Sequence, residues 1–266
     1  MKLRDESVDI AVDGQHIEGT LVVPQEARET MPGVLFVHGW GGNGDQYLSR
    51  ARMVAALGCV CLTFDLRGHE KTHAQHEGVT REHSLRDVLA AYDVLAHSPA
   101  VDETRIALVG SSYGGYIGAI VTALRAVRWL ALRAPALYKD ADWSLPKRQL
   151  HQDPDFADYR RRPHRTSENR ALDACGRFHG DVIVVESEHD TIVPHPAVAN
   201  YVAAFANARS LTYRVIEGAD HGLSAEPWKR AYTELLVTWL KEMTAPARGV
   251  APEQPQAVAA AAAPES

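Results

Sequence analysis

The stretch Gly110-Ser111-Ser112-Tyr113-Gly114 has the form G-x-S-x-G. An apolar run, 106–109, precedes it, and a helical pattern opens at Tyr113. Between a buried strand and a helix, the central serine stands on a tight, strained turn with its hydroxyl exposed, as an acyl-transfer nucleophile requires. Glycine at 110 and 114 removes side chains that would clash across the turn. Ser111 is the rival hydroxyl, but the residues two positions either side of it are Val109 and Tyr113, which give no such relief. A serine hydroxyl is a weak nucleophile until a base takes its proton, and the base needs a third group to hold its tautomer. Two later loops supply those types in the order Ser, acid, His. Asp190 follows the apolar run 182–185, and His221 follows the run 211–216. Ser112 as nucleophile, His221 as base and Asp190 as orienter is therefore the predicted constellation. His189 is a rival base, and Asp220 and Glu188 are rival acids, all ranked below this set.

An acyl transfer also needs donors for the developing oxyanion. Phe36-Val37-His38-Gly39-Trp40-Gly41-Gly42-Asn43-Gly44 follows the first buried run, and its glycines let the backbone fold close to a substrate. The backbone N–H groups of Trp40, in this loop, and of Tyr113, directly after the nucleophile, are the expected oxyanion hole. The loop lacks the Lys-Ser/Thr ending of a P-loop and the G-x-G-x-x-G spacing of a dinucleotide site. His38 and His69, beside these segments, and Tyr138 and Trp143, further along, are candidate pocket residues with Trp40.

Two other clusters carry weaker signals. His69, His73 and His76, with Glu70 and Glu77, would share one face if helical and could then hold a metal ion. Gly68 and Gly78 and the position just after a strand favour a loop that borders the site and meets substrate, so neither metal nor cofactor is expected. Tyr159-Arg160-Arg161-Arg162-Pro163-His164-Arg165 reads first as a solvated basic face. The sharper alternative is that one of these arginines meets an anionic substrate group.

The elements that must position these residues are legible around them. Val8, Ile10 and Val12, then Ile17, Leu21 and Val23, alternate with polar residues about Asp13-Gly14, which predicts an antiparallel hairpin. The continuous apolar runs 33–37, 59–64, 106–109, 129–132 and 182–185 predict strands buried on both faces, and the less uniform run 211–216 adds another. Helical spacing marks 47–57, 84–96, 113–124, 196–206 and 228–243. The alternation predicts one α/β domain over 1–243, with an eight-stranded, mainly parallel sheet and helices on both faces. Residues 136–170 interrupt it as a polar insertion, a small cap or long loop. The Ala- and Pro-rich residues 244–266 are expected to be a disordered tail.

The 266 residues suffice for a full core. A formal net charge of -6 argues against nucleic acid as a partner. The cysteines, Cys59, Cys61 and Cys175, form no disulfide framework, which suggests reduced thiols and a cytoplasmic address. The charged start of the chain has no secretory signal pattern, and no apolar run is long enough to span a bilayer.

Over roughly residues 8–243 the chain resembles the α/β-hydrolase superfamily. His38-Gly39-Trp40-Gly41-Gly42 looks like that superfamily's oxyanion loop. Asp65-Leu66-Arg67-Gly68-His69 looks like its D-x-R-G-H segment, with Glu70 where a glycine often follows. Gly110-Ser111-Ser112-Tyr113-Gly114-Gly115 is similar to the elbow of dienelactone hydrolase-like, serine aminopeptidase-like and prolyl oligopeptidase-like members. Asp190-Thr191-Ile192-Val193-Pro194 and Asp220-His221-Gly222 resemble the acid and histidine segments. The resemblance implies a serine hydrolase that cleaves a small ester or related acyl compound through an acyl-enzyme. An aminopeptidase-like peptidase, thioesterase, lactone hydrolase or acyltransferase on the same residues remains open, as does a ligand receptor with weakened catalysis.

Overall fold

The computed structural model describes residues 1–25, 29–141 and 143–245. The expected tail from 246 onward lies outside the described residues. Strands β1 (Leu3–Val12) and β2 (Gln15–Pro24) form the antiparallel hairpin, paired from Leu3↔Pro24 to Val12↔Gln15. Then come β3 (Met31–Val37), α1 (Asp45–Ala55), β4 (Val60–Phe64), α2 (Arg81–Ala96), β5 (Val101–Ser111) and α3 (Tyr113–Val121). The chain continues through β6 (Trp129–Arg133), α4 (Phe156–Tyr159), α5 (Arg170–Gly176), β7 (Asp181–Ser187), α6 (His195–Ala204), β8 (Ser210–Ile216) and α7 (Glu226–Thr244). The sheet has eight strands in the order β1-β2-β4-β3-β5-β6-β7-β8. β2 meets β4 antiparallel, and every pairing from β4 through β8 is parallel. This is the mainly parallel sheet with an N-terminal hairpin that the run pattern predicts.

The apolar runs are continuous because both faces of the central strands are covered. Along β3, Val34 and Phe36 pack with α1 and α7, whereas Leu35 and Val37 join the core shared with α2, α3, α5 and α6. That is the period of a strand. β8, at the edge, is buried only at Ile216 and leaves Leu211 and Val215 exposed. The strand order reverses between β3 and β5, and a crevice at the carboxyl ends of strands on either side of such a switch is where this architecture places ligands.

Residues in the insertion form short helical turns, 147–152 and 166–168, around α4. Buried Arg81, at the start of α2, stitches it down. Its guanidinium donates to the carbonyls of Lys139 and Ala141 and to the Tyr116 hydroxyl. Asn169 Nδ2 donates to the Tyr138 carbonyl at 2.7 Å and to the Tyr159 hydroxyl at 3.0 Å. The histidine-rich stretch expected to be a loop is a 3₁₀ helix, Glu70–Gly78. Its i→i+3 winding leaves no amphipathic pattern to read, and none of its residues is buried. Among the described residues no helix is long and apolar enough to cross a membrane.

Candidate active site

β5 ends at Ser111, and the chain turns into α3 through Ser112, whose φ of 52° and ψ of -115° lie outside the regions a serine ordinarily adopts. Backbone bonds fix the turn: Ser112 N–H donates to the Arg133 carbonyl at 2.8 Å, and the Ser112 carbonyl accepts from Ala136 and Tyr116. The glycines are needed for close approach. A Cβ at Gly110 would lie 2.6 Å from the Gly114 carbonyl oxygen, and one at Gly114 would lie 2.4 Å from the carbonyl oxygens of both Val37 and His38. The second contact is with the end of β3, so Gly114 lets the elbow press against the neighbouring loop.

Three chain segments converge on that elbow. Ser112 Oγ lies 3.0 Å from His221 Nε2, and His221 Nδ1 lies 2.6 Å from Asp190 Oδ2. Asp190 comes from the loop after β7, and its Oδ1 accepts the N–H groups of Ile192 at 2.8 Å and Val193 at 2.7 Å. Burial pushes the Asp190 carboxyl up, but the bonds from His221, Val193 and Ile192 more than offset this and hold it below the usual carboxylate range. An ionised carboxylate can only accept. The proton of a neutral His221 therefore sits on Nδ1, which leaves Nε2 to accept from the Ser112 hydroxyl.

The rivals are engaged elsewhere. Ser111 Oγ accepts from Arg133 Nε at 2.7 Å. Asp220 binds the N–H and hydroxyl of Ser224. Glu188 accepts from Gly218 N–H at 2.7 Å, and His189 is exposed, 3.8 Å from Glu188.

The glycine loop 38–44 lies directly beside the elbow: a Cβ at Gly39 would sit 3.3 Å from Ser112 Cβ. Among the described residues no acceptor pairs with the N–H of Trp40 or of Tyr113. Asp65 Oδ1 accepts Gly44 N–H at 2.7 Å, and buried Arg67 pairs with Asp87 at 2.6 Å, so the D-x-R-G-H segment braces this loop and ties it to α2.

Ser112, His221 and Trp40 line a cleft of about 840 Å³ between the loop 39–42, α1 and α7. Four residues expected at the pocket are absent from its walls. His38 is buried, its Nε2 accepts Leu66 N–H at 2.9 Å, and burial pushes its pKa down to about 3. His69 Nε2 accepts Gly41 N–H at 3.1 Å. Both rings therefore shape the glycine loop from behind. Tyr138 is buried against Tyr113, Tyr116 and Phe156. Trp143 donates to Glu82 at 2.5 Å and lies between the guanidinium groups of Arg81 and Arg170. The insertion packs onto α2 and α3, whereas the cleft opens on the α1 and α7 side of the sheet.

The basic run is divided. Arg161, Arg162 and Arg165 are exposed, but Arg160 is buried with its guanidinium over the Phe156 ring. Among the described residues no group of His, Cys, Asp or Glu is arranged to hold a metal ion; His73 and His76 stack ring on ring. Arg133 and Tyr232 line the cleft and were not legible as site residues. The one available signal was a charge ending the apolar run 129–132.

The sequence profile described as the Prolyl oligopeptidase family matches residues 46–246. The chain belongs to the prolyl oligopeptidase family. It is thus an α/β-fold hydrolase, within the α/β-hydrolase superfamily. Among curated relatives it is 31% identical over 111 residues to the mitochondrial palmitoyl-protein thioesterase ABHD10 of Pongo abelii, covering 41% of this chain and 34% of that one. It is 34% identical over 102 residues to the probable dipeptidyl-aminopeptidase B of Fusarium vanettenii, covering 34% of this chain and 11% of that one. The matches thus span about a third or less of these relatives. Among solved structures, a dienelactone hydrolase from Anabaena variabilis shares 18% identity at a TM-score of 0.67, over 92% of this chain and 100% of that one. A bacterial heroin esterase shares 17% at 0.66, over 91% and 85%. At these identities the likeness is one of fold.

Proposed function

We propose that this member of the prolyl oligopeptidase family is a serine hydrolase that cleaves a small ester or related acyl compound through an acyl-enzyme. The observation that carries the reading is the unbroken relay from Ser112 Oγ through His221 to Asp190, with contacts of 3.0 and 2.6 Å. Ser112 Oγ attacks the acyl carbon while its proton passes to His221 Nε2. The oxyanion takes the N–H groups of Trp40 and Tyr113, which no protein acceptor among the described residues occupies. His221 then returns the proton to the leaving group, and the acyl group stays on Ser112. Water enters by the same route in reverse, giving its proton to Nε2 as it attacks. Asp190 keeps Nδ1 protonated and stabilises the imidazolium.

A thioester as the acyl compound draws support from the thioesterase relative, and a peptide from the dipeptidyl-aminopeptidase relative, both over short segments. The buried, unpaired Cys59, Cys61 and Cys175 support a reducing, cytoplasmic location. The test of the chemistry is labelling with a fluorophosphonate. Wild type should label at a single serine and Ser112→Ala not at all, with its far-UV circular dichroism unchanged. Undiminished labelling of Ser112→Ala sinks the assignment.

A further inference from the structure

The inner wall of the cleft is made by buried residues that the acyl-transfer steps do not use. Arg133, at the end of β6, is 7% exposed, and Tyr232, on α7, is 2% exposed. Arg133 Nε donates to Ser111 Oγ at 2.7 Å, and its Nη1 reaches Ser187 Oγ at 3.5 Å. Both partners are neutral hydroxyls, and among the described residues no carboxylate lies within ion-pair distance of this guanidinium. Arg67, buried to a similar degree, is met by the carboxylates of both Asp87 and Asp13. Burying a cation without a counter-charge is costly, and such a group is kept where a charged ligand completes it.

Tyr232 adds an independent sign. Its hydroxyl is buried and has no hydrogen-bond partner. Burial pushes its pKa up to about 12, so it keeps its proton and can donate. The Arg50 guanidinium lies 5.1 Å from the Tyr232 ring centroid and adds to the positive potential, whereas the carboxylates of the cleft, Glu226 and Glu234, are exposed at its mouth. A guanidinium without a counter-charge and a neutral O–H without an acceptor complement a group that only accepts and carries negative charge. A planar carboxylate is that group.

We propose that Arg133 and Tyr232 form a carboxylate-binding subsite, so that the acyl compounds taken by this chain carry a carboxylate seated there while their ester carbon lies at Ser112. The elbow and the subsite are joined directly, since Ser112 N–H is bonded to the Arg133 carbonyl and Ser111 Oγ to its side chain. The proposal rests on the hydrolase reading for its reaction, but binding of the carboxylate does not depend on turnover.

The test uses the full chain. Glutarate is titrated by calorimetry into Ser112→Ala, which removes the nucleophile and leaves the subsite. Saturable binding is expected. Adding Arg133→Gln should weaken it about 10- to 100-fold, and adding Tyr232→Phe should weaken it by about the lower end of that range. In proteins that retain Ser112, the ratio of kcat/KM for mono-para-nitrophenyl glutarate over para-nitrophenyl butyrate should fall by similar factors. Tyr232→Phe removes one oxygen and decides the matter if Arg133→Gln fails to fold. Absence of saturable glutarate binding overturns the subsite, as do binding and an ester ratio that neither substitution moves. Binding with the expected losses, but no turnover of either ester, upholds the subsite and defeats the hydrolase reading.

Discussion

Under the proposed function, replacing Asp190 by asparagine separates proton management from everything else the site does. The Asp190 side chain is 3% exposed and accepts three hydrogen bonds, one from His221 and two from backbone N–H groups. Asparagine can keep its carbonyl oxygen on Ile192 and Val193, which turns its NH₂ group towards His221 Nδ1. Nδ1 must then accept, so the imidazole proton moves to Nε2 and faces a Ser112 hydroxyl that it can no longer deprotonate. The imidazolium of the transition state also loses its counter-ion. At an effective dielectric of about 20, a pair of charges roughly 4 Å apart is worth about 4 kcal/mol. With the tautomer penalty added, the barrier should rise by about 5–6 kcal/mol, a fall in kcat on the order of 10⁴-fold, as in other triads. KM should change little, because Asp190 does not line the cleft. Turnover of para-nitrophenyl butyrate by Asp190→Asn, Asp220→Asn and Glu188→Gln, measured side by side, checks this. Asp190→Asn within ten-fold of wild type, or a collapse in either of the others, would show the orienting carboxylate to be misassigned.

Gly114→Ala drives a Cβ to 2.4 Å from two backbone oxygens that cannot move away without shifting β3. A cost of about 3 kcal/mol, or a melting temperature lowered by about 6–12 °C, is expected, and a shift under about 2 °C by calorimetry would contradict the packing argument. Lys147, buried over the Trp40 ring at 4.8 Å, has its pKa pushed down to about 8 by burial and by Arg160. Between about pH 8 and the ordinary lysine value of 10.5 the unfolded chain binds the proton more than the folded one, so this group adds stability as pH rises through that window and none below it. Lys147→Met should therefore gain roughly 1–3 kcal/mol at neutral pH, and its stability relative to wild type should shrink towards pH 10. Denaturant melts of both proteins at several pH values measure that difference, and a difference constant with pH refutes the account.

The central fold was readable because its signals are local. A strand covered on both faces must be apolar throughout, and an elbow pressed against a neighbouring loop must have glycine at 110 and 114. Asp190 and His221, which the fold brings to Ser112, each stand in the loop just past a strand, Asp190 after buried β7 and His221 after the less uniform edge strand β8. What escaped the reading depends on contacts distant in sequence. Arg133 meets Ser111 only through the parallel register of β5 and β6, and Tyr232 reaches the cleft because α7 folds back over the same face. His38 and His69 have the composition of pocket residues, yet their ring nitrogens serve backbone N–H groups, a choice that sequence spacing does not encode. Tyr138 and Trp143 were misplaced for a similar reason, since the side of the sheet covered by an insertion is decided by anchors such as Arg81 and Asn169.

The backbone of Ser112 carries a longer-term consequence. At a φ of 52° and a ψ of -115° a side chain costs on the order of 1–3 kcal/mol, and glycine would hold the same turn with far less strain. The Ser112 hydroxyl meets His221 Nε2 at 3.0 Å, and under the proposed function it is this hydroxyl's chemistry that keeps serine in place. Descendants that abandoned the reaction would gain stability by drifting to glycine at this codon. Its occupant in any lineage is therefore a running record of whether selection still acts on turnover.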